Sequence, residues 1–448
     1  MKKKQLIIFT EGPITGPLIR FAVPVFLAMV LQALYGAVDL LVVGKFGSSV
    51  DVSAVSTGAQ VLQTVTGLVT SFAMGLTVVL GQLIGENNRS EAGHVMGTGV
   101  LLFGAIGVLL SLAMVFFAPF LAKLLNAPEE ALSGTVTYIR ICGAGMVVIV
   151  AYNLIGSIFR GIGDSTTPLI TVAIACVCNI FGDLLLVAVF RLGVSGAAIA
   201  TVFAQFVSVI MSFILIRRQG LPFEFKGNMI RLQKRIALRI AGIGFPIALQ
   251  ELLVSISFLV ILAIVNGLGL VVSAGVGVAE KICGFIMLVP SAFSQTMAAA
   301  AAQNIGAGKY LRARKSMWIA VGISLCFGAV MFFTNFFFGD VLASVFSNDP
   351  AAIEVAADYL KAYAIDCLLT AVMFNMTGFF NGIGMTRFTM AHGIISAFCV
   401  RIPVSFVMSR LTPVSVFKVG LATPCSTVLQ IIMCMIALIV TDKKYRRE

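Results

Sequence analysis

The sequence predicts an all-α integral membrane protein with twelve transmembrane helices. Of its 448 residues, 59% are hydrophobic and 11% are charged, and the mean hydropathy is +1.04. A soluble domain carries about 25% charged residues, so this composition cannot cover a water-facing surface. Apolar runs near the roughly 20 residues that a helix needs to cross a bilayer recur along the whole chain. Outer-membrane barrels are excluded, because their strands alternate polar and apolar residues.

Glycines, prolines and charged residues separate the apolar runs and limit the predicted helices. The twelve predicted spans lie at 16–43, 53–83, 92–118, 134–158, 167–190, 194–216, 238–265, 271–302, 314–338, 352–380, 388–409 and 415–440. An even number of spans places both termini on the same side of the membrane. Lys2–Lys4 are basic, but the apolar stretch 6–9 is too short for a signal-peptide core. We therefore expect span 1 to remain in the mature protein.

Basic residues fall mostly on the side of the termini. That side carries Lys2, Lys3, Lys4, Arg89, Arg160, Arg217, Arg218, Lys226, Arg231, Lys234, Arg235, Arg239, Lys309, Arg312, Arg314, Lys315, Arg387, Lys443, Lys444, Arg446 and Arg447. The opposite side carries Lys45, Lys123, Arg191, Arg410 and Lys418. Because cytoplasmic loops are enriched in Lys and Arg, we expect both termini in the cytoplasm, with the chain in a bacterial-type plasma (inner) membrane. The same rule accounts for the net charge of +12 without a nucleic-acid partner.

Four short motifs recur in the same order, 221 or 222 positions apart. The pairs are 21–24 with 243–246, 81–85 with 302–306, 126–128 with 348–350, and 159–163 with 380–384. The chain is therefore predicted to consist of two six-helix repeat lobes, residues 1–216 and 238–448, joined by a basic linker at 217–237. Two similar bundles around one site are typical of transporters that work by alternating access.

Ionisable residues inside a membrane helix are costly and mark candidate functional sites. At a rise of 1.5 Å per residue, Asp39, Asp183 and Thr201 each lie roughly 10 Å from the outer ends of their spans. Asn179 lies one helical turn from Asp183 on the same face. The four side chains are therefore expected at one depth in the first lobe.

The chemistry of these four side chains fits either of two coupling ions, Na⁺ or a proton. Carboxylate, amide and hydroxyl oxygens are the ligands that hard cations such as Na⁺ prefer. Two close carboxylates in a dry site would equally well share a proton, because both cannot stay ionised. A purely structural hydrogen-bonding role is the alternative. Counting 222 or 221 positions onward leads to Ile261, Val400 and Val404, and this asymmetry favours a cation site in the first lobe.

The second lobe contains seven polar or charged residues within or near its spans. They are Gln250, Glu251, Asn266, Glu280, Lys281, Asp366 and Arg401. These residues are candidates for a substrate cavity, with Glu251 near mid-depth facing an organic cation. The alternative is a charge-balancing network, since intramembrane charges usually pair. Its members would be Lys281, Arg401, Glu280 and Asp366.

No cofactor is expected from the sequence. The nine cysteines lie inside predicted spans and are interpreted as small packing residues. His94 and His392 have no partner at metal-ligand spacing. An enzyme is not expected either, because no His-Glu-x-x-His or Gly-x-Ser-x-Gly motif occurs. The acids also do not form the ring of a channel selectivity filter.

Three segments resemble the multidrug and toxic-compound extrusion (MATE) family, and the resemblance covers essentially the whole chain. The segments are Arg160–Gly163, Gly196–Thr201 and Gln303–Gly308. The resemblance implies a V-shaped fold that exports organic, often cationic compounds in exchange for inward Na⁺ or H⁺. The first half is similar to the DinF-like branch, which has a first-helix proline. That likeness implies cation-coupling roles for Asp39, Asn179, Asp183 and Thr201. If the coupling ion is Na⁺, the carboxylates of Asp39 and Asp183 are its expected ligands.

Pro24 interrupts the hydrogen-bond ladder of span 1, and we expect a hinge there. The matched Pro246 favours a static kink as the alternative.

The expected function is a secondary antiporter for small organic cations, working as a monomer in the lipid bilayer. A flippase for lipids or lipid-linked sugars of the same superfamily is the alternative function. Such flippases typically have additional spans and a cationic cavity for pyrophosphate.

Overall fold

A computed structural model describes residues 6–445 of the chain. Over this range, eleven helical segments are long and apolar enough to cross a membrane, and a bent pair of helices supplies a twelfth span. In chain order, spans 1 to 12 are Thr15–Phe46, Ser49–Gly85, Arg89–Leu124, Glu129–Ala144 with Met146–Gly161, Thr166–Val189, Gly193–Gln219, Lys234–Asn266, Leu270–Gly306, Tyr310–Phe337, Pro350–Gly382, Thr386–Arg410 and Val416–Tyr445. The predicted all-helical fold with twelve spans is confirmed. Lys2–Lys4, Arg446 and Arg447, used for the predicted orientation, lie outside the described residues.

Some spans begin at side chains that cap their free N–H groups. Span 2 begins at a capping box, in which Ser48 Oγ accepts from the Asp51 N–H at 3.1 Å. In return, Asp51 Oδ2 accepts from the Ser48 N–H at 2.9 Å. Span 10 begins at Asp349, with Pro350 in its first turn, where the missing N–H of proline has no consequence. The two helices begin at Ser49 and Pro350, four and two residues before the predicted starts at 53 and 352, because these caps lie there.

Several spans contain breaks that hydropathy does not reveal. Span 8 consists of Leu270–Ile286 and Leu288–Gly306, span 12 consists of Val416–Gly420 and Ala422–Tyr445, and π-helical turns occupy Leu184–Val189 in span 5 and Ala397–Arg401 in span 11. A short 3₁₀ helix at Gly227–Met229 and a short α-helix at Gly339–Ser344 lie between spans. Span 4 bends by 55° between its two helices, at Gly145. The Val202 side chain of span 6 lies where a Cβ atom on Gly145 would be, so the close approach of span 6 at the bend requires glycine.

The chain forms two compact units whose limits fall inside spans 1 and 7. Unit 1 contains the residues up to Ile8 and Val23–Phe245. Unit 2 contains Phe9–Ala22 and the residues from Pro246 onward. The start of span 1 therefore packs in unit 2, and the start of span 7 packs in unit 1. The predicted sequence halves, 1–216 and 238–448, describe the internal repeat and stay a separate prediction.

The core of unit 1 is a continuous apolar cluster contributed mainly by spans 2 to 6. Leu76, Phe103 and Ile158 are among its fully buried side chains. The start of span 7 is tied to this unit by a hydrogen bond from Arg239 Nη2 to Gln82 Oε1 at 3.0 Å. Gln82 belongs to the first copy of a repeated motif, so the motif has a packing role in this unit.

The core of unit 2 gathers side chains mainly from spans 7, 8 and 10. Span 8 contributes the run Ala298–Ala302, in which every residue is at most 1% exposed. These small side chains let span 10 approach closely, because a Cβ atom on Gly382 would lie only 2.5 Å from the Ala298 carbonyl oxygen. The repeated motif that contains Gly382 therefore marks a close helix contact.

The start of span 1 is held within unit 2 by polar side chains. The Phe9 N–H donates to Gln303 Oε1 at 3.2 Å, and Arg312 Nε donates to the Phe9 carbonyl at 2.8 Å. Arg312 Nη2 also donates to the carbonyls of Glu11 and Gly12, each at 2.8 Å. These bonds satisfy backbone groups that precede the helix, and Asn304 Nδ2 also donates to the Phe9 carbonyl at 3.3 Å.

Candidate functional site

Unit 1 contains a buried polar cluster, the acidic cluster, formed by Asp39 of span 1, Asn179 and Asp183 of span 5, and Thr201 of span 6. Their exposed fractions are 5%, 1%, 0% and 2% respectively. Thr201 Oγ1 donates a hydrogen bond to Asp39 Oδ2 at 3.3 Å. Asp183 and Asn179 also lie close enough to interact with the Asp39 carboxylate. The structure thus brings together the four residues that the sequence singles out, while their role stays a prediction.

Most polar atoms of the acidic cluster have no partner among residues 6–445. Asp39 Oδ1, both carboxylate oxygens of Asp183 and both amide atoms of Asn179 are buried without a hydrogen bond. Buried polar groups are normally paired, and an unpaired one costs about 1–3 kcal/mol, or more when charged. The cluster is therefore suited to accept a proton or a cation.

The donor atoms of the acidic cluster are oxygens from two carboxylates, an amide and a hydroxyl. Such a set fits a hard cation, whereas transition metals favour imidazole and thiolate ligands. In the described part of the chain, no group of three or more His, Cys, Asp or Glu side chains is arranged to hold a metal ion. The chemistry of the donor set thus fits a hard cation or a proton.

A π-helical turn follows directly after the two polar residues of span 5. The α-helix ends at Asp183, and the π-helical segment Leu184–Val189 begins at the next residue. The Phe190 N–H donates to the Leu185 carbonyl at 2.9 Å, the spacing of a π-helix. Single π-turns inside α-helices occur frequently at functional sites, because they re-aim neighbouring side chains. The sequence does not predict this turn.

Two tyrosines that the sequence analysis did not identify border the acidic cluster. Tyr35 and Tyr138 both lie near Asp39, and Tyr138 is 1% exposed. Tyr35 lies one helical turn before Asp39, so helical periodicity could have found it. Tyr138 lies on the first helix of span 4, whose bent course gives no signal in the sequence. Cys142, one turn further, is fully buried beside Tyr138.

The seven candidate residues of the second lobe have different surroundings, and their role in a substrate cavity stays a prediction. Asp366 and Arg401 are 1% and 4% exposed and interact electrostatically, and the partly buried Glu280 shares Tyr359 with them as a neighbour. The other four are dispersed. Gln250 packs against Gly393, Asn266 Oδ1 accepts from Ser273 Oγ at 2.6 Å, and Glu251 and Lys281 are exposed.

Pro24 lies inside the continuous helix Thr15–Phe46. The limit between the two compact units falls between Ala22 and Val23, next to this proline. Proline removes a backbone hydrogen bond from a helix interior, and here it does so beside the limit between the two units. A hinge role for Pro24 stays a prediction.

A sequence model described as MatE matches the chain twice, over residues 24–185 and 246–407. The two matches begin and end 222 positions apart and together cover most of the chain. On this register, Arg401 is the counterpart of Asn179, and Ser405 is the counterpart of Asp183. Each is one position beyond the Val400 and Val404 that a separation of 221 gives, and the second repeat still has no acid at either position.

Relatives and solved structures align along nearly the whole chain. "Probable multidrug resistance protein YpnP" of Bacillus subtilis is 26% identical over 402 residues, covering 90% of each chain. "Multidrug export protein MepA" of Staphylococcus saprophyticus is 25% identical over 411 residues, covering 92% of this chain and 91% of that one. The structure "Outward-facing conformation of a multidrug resistance MATE family transporter of the MOP superfamily" matches 100% of both chains with a TM-score of 0.92 at 18% identity. At that identity, the likeness shows the fold.

Proposed function

The chain belongs to the MatE family of transporters, and we propose that it is a secondary antiporter that exports small organic cations in exchange for inward Na⁺ or H⁺. It is a transporter rather than an enzyme. Relatives that align over about nine-tenths of its length carry the names of multidrug resistance and export proteins. Its place is the bacterial plasma (inner) membrane, where it works as a monomer with both termini in the cytoplasm.

The acidic cluster of unit 1 is the observation that supports cation coupling. Asp39 and Asp183 are buried neighbours, and three of their four carboxylate oxygens lack a hydrogen bond within the described chain. Two unit charges about 4 Å apart repel by about 4 kcal/mol at an effective dielectric constant of 20. A shared proton or a bound cation removes this repulsion, so the acidic cluster is more stable when it holds a proton or a cation.

Exchange requires that the cation and the organic substrate favour different states of the transporter. Each ligand must then weaken the binding of the other by the same factor. A ligand that binds both states equally would shift nothing. The acidic cluster therefore acts as the coupling site if its occupancy changes the affinity for substrate.

Binding of a fluorescent organic cation tests the proposal. The affinity of the purified transporter for ethidium is measured without Na⁺, at saturating Na⁺, and between about pH 5.5 and pH 8. We expect one of these variables to weaken ethidium binding, and that variable identifies the coupling ion. Asp39→Asn should remove the effect, because it neutralises one carboxylate without changing its size.

The matched control places the same amide at the repeat counterpart of Asp39. Ile261 is 1% exposed in unit 2, so Ile261→Asn should lower stability by burying an unpaired amide but keep the ion effect on ethidium affinity. Ethidium affinity that is unchanged across both Na⁺ concentration and pH in the wild type would reject the antiporter mechanism.

A further inference from the structure

Unit 2 contains a second buried polar cluster, the arginine cluster, formed by Asp366 of span 10, Arg401 of span 11, and Ser257 and Phe258 of span 7. Arg401 Nη1 donates to Ser257 Oγ at 3.3 Å, and the Arg401 guanidinium carbon lies 4.5 Å from the centroid of the Phe258 ring. A cation over an aromatic face is attracted by the ring quadrupole. The guanidinium is therefore held inside the unit, where it is 4% exposed.

The arginine cluster occupies the repeat counterpart of the acidic cluster. Arg401 lies 222 positions after Asn179, the separation given by the two family matches. Four residues around the acidic cluster also have counterparts 221 or 222 positions later around the arginine cluster. The pairs are Tyr35 and Ser257, Tyr138 and Tyr359, Cys142 and Tyr363, and Gln205, a neighbour of Tyr35, and Thr427. The two clusters are thus the same place in two copies of one fold.

The two clusters differ in charge. The acidic cluster holds two carboxylates and no basic side chain, whereas the arginine cluster holds the Asp366 carboxylate and a guanidinium. Asp366 is 1% exposed, and its neighbours are Thr427 and Arg401. Asp366 Oδ1 and Arg401 Nε have no hydrogen-bond partner in the described chain. A buried charge requires an opposite charge nearby, and Arg401 is an electrostatic neighbour of Asp366 that supplies it.

We propose that Arg401 is a tethered cation, which occupies in unit 2 the place that an external cation takes in unit 1. Its guanidinium compensates Asp366, and it also lies near the hydroxyls of Tyr359 and Tyr363. A guanidinium stays charged across the whole physiological pH range, so unit 2 has no need to bind a coupling cation. Arg401 is therefore a specificity-determining residue that restricts ion coupling to unit 1.

Removing the tethered cation should create a new cation site in unit 2. Arg401→Met keeps a long, flexible side chain but removes the charge, which leaves Asp366 and the nearby Glu280 uncompensated. The experiment uses the full-length chain with Asp39→Asn, so that the acidic cluster contributes no Na⁺ response. Thermal unfolding is followed with and without Na⁺ and between about pH 5.5 and pH 8, together with binding of radioactive Na⁺.

In this background we expect Arg401→Met to gain a Na⁺-dependent or proton-dependent rise of the unfolding midpoint, which the parent lacks. Adding Asp366→Asn should abolish the gain, and Arg401→Lys, which retains a cation, should not show it. If the unfolding midpoint of Arg401→Met changes with neither Na⁺ nor pH, the proposal is overturned. A gain that persists with Asp366→Asn would also overturn it.

A second measurement applies if Arg401→Met does not fold. The yields of monodisperse Arg401→Met, Asp366→Asn and the double variant are compared, and the double variant should exceed both singles because it removes both charges together. A double variant that is no better than the worse single variant contradicts the pairing of Asp366 with Arg401.

The role of Arg401 rests on the proposed cation site in unit 1, but the proposals for unit 1 and unit 2 can fail separately. The difference in ion response between wild type and Asp39→Asn tests the cation site of unit 1. The ion response gained by Arg401→Met tests the proposal for unit 2.

Discussion

Asp39→Asn should uncouple transport while leaving substrate binding intact. The acidic cluster is a single site with two carboxylates, so we expect it to carry one monovalent cation per transport cycle. A tenfold cation gradient stores about 1.4 kcal/mol. In one-for-one exchange it should support about a tenfold gradient of a monovalent dye. Without the cluster charge, the ratio of dye concentrations should fall to about one.

The assay is ethidium accumulation in proteoliposomes, with a tenfold Na⁺ gradient or a one-unit pH gradient imposed separately. Valinomycin and K⁺ clamp the membrane potential at zero, so that only the chemical gradient drives exchange. Asp183→Asn should behave like Asp39→Asn, and the double variant should be no worse than either single, because residues that act as a unit are not additive. Ile261→Asn should still accumulate dye.

Two results would refute this reasoning. If Asp39→Asn sustains the wild-type dye gradient, the coupling site lies elsewhere. If the double variant loses far more than either single, Asp39 and Asp183 act at independent sites. Ethidium affinity measured in the same preparations separates lost coupling from lost folding, since an uncoupled variant should still bind the dye.

Three further predictions concern the framework around the site. Gly145→Ala should destabilise by about 1–3 kcal/mol through overlap with Val202, whereas Gly104→Ala, with no atom within 4 Å of the new Cβ, should not. A thermal midpoint equal for both variants would contradict this. Arg312→Ala removes three 2.8 Å bonds to carbonyls. At about 1 kcal/mol each for a partly exposed donor, residues 9–12 should exchange amide hydrogens faster by roughly two orders of magnitude, and unchanged exchange would argue against this tether. In a cysteine-free background, a cysteine at position 47 should react with an impermeant thiol reagent added outside, and one at position 90 should not. The reverse pattern would invert the orientation.

The sequence was sufficient to predict the spans and the acidic cluster. Membrane spans are set by hydropathy over about 20 residues, a local property that needs no tertiary information. Asp39, Asp183 and Thr201 come from three spans, yet their distances from the span ends place them at one depth. Burial and the Thr201–Asp39 hydrogen bond agree with that depth calculation.

Other features depend on contacts between distant segments and leave no periodic signal. At the bend in span 4, Val202 of span 6 fills the space beside Gly145, a contact between residues 57 positions apart. The residues of the π-turn after Asp183 are all apolar, as they could be in an ordinary α-helical turn, so their sequence does not distinguish the two. Some motif pairs are separated by 221 positions and others by 222. A separation of 221, applied to span 11, assigns Val400 instead of Arg401 as the counterpart of Asn179.

The internal repeat retains packing and diverges in charge. In both copies of one motif, a glutamine accepts a hydrogen bond from the chain near the beginning of a repeat. Gln82 accepts from Arg239, within span 7, and Gln303 accepts from the N–H of Phe9, which precedes span 1. A side chain needed to seat a helix has the same task in each copy, so it is present twice. A charge that binds a movable ion has no such duplicate, because a second free site would change the number of ions carried per cycle. Two carboxylates without a basic partner in one copy, and a carboxylate paired with a guanidinium in the other, are what the proposed single coupling site requires.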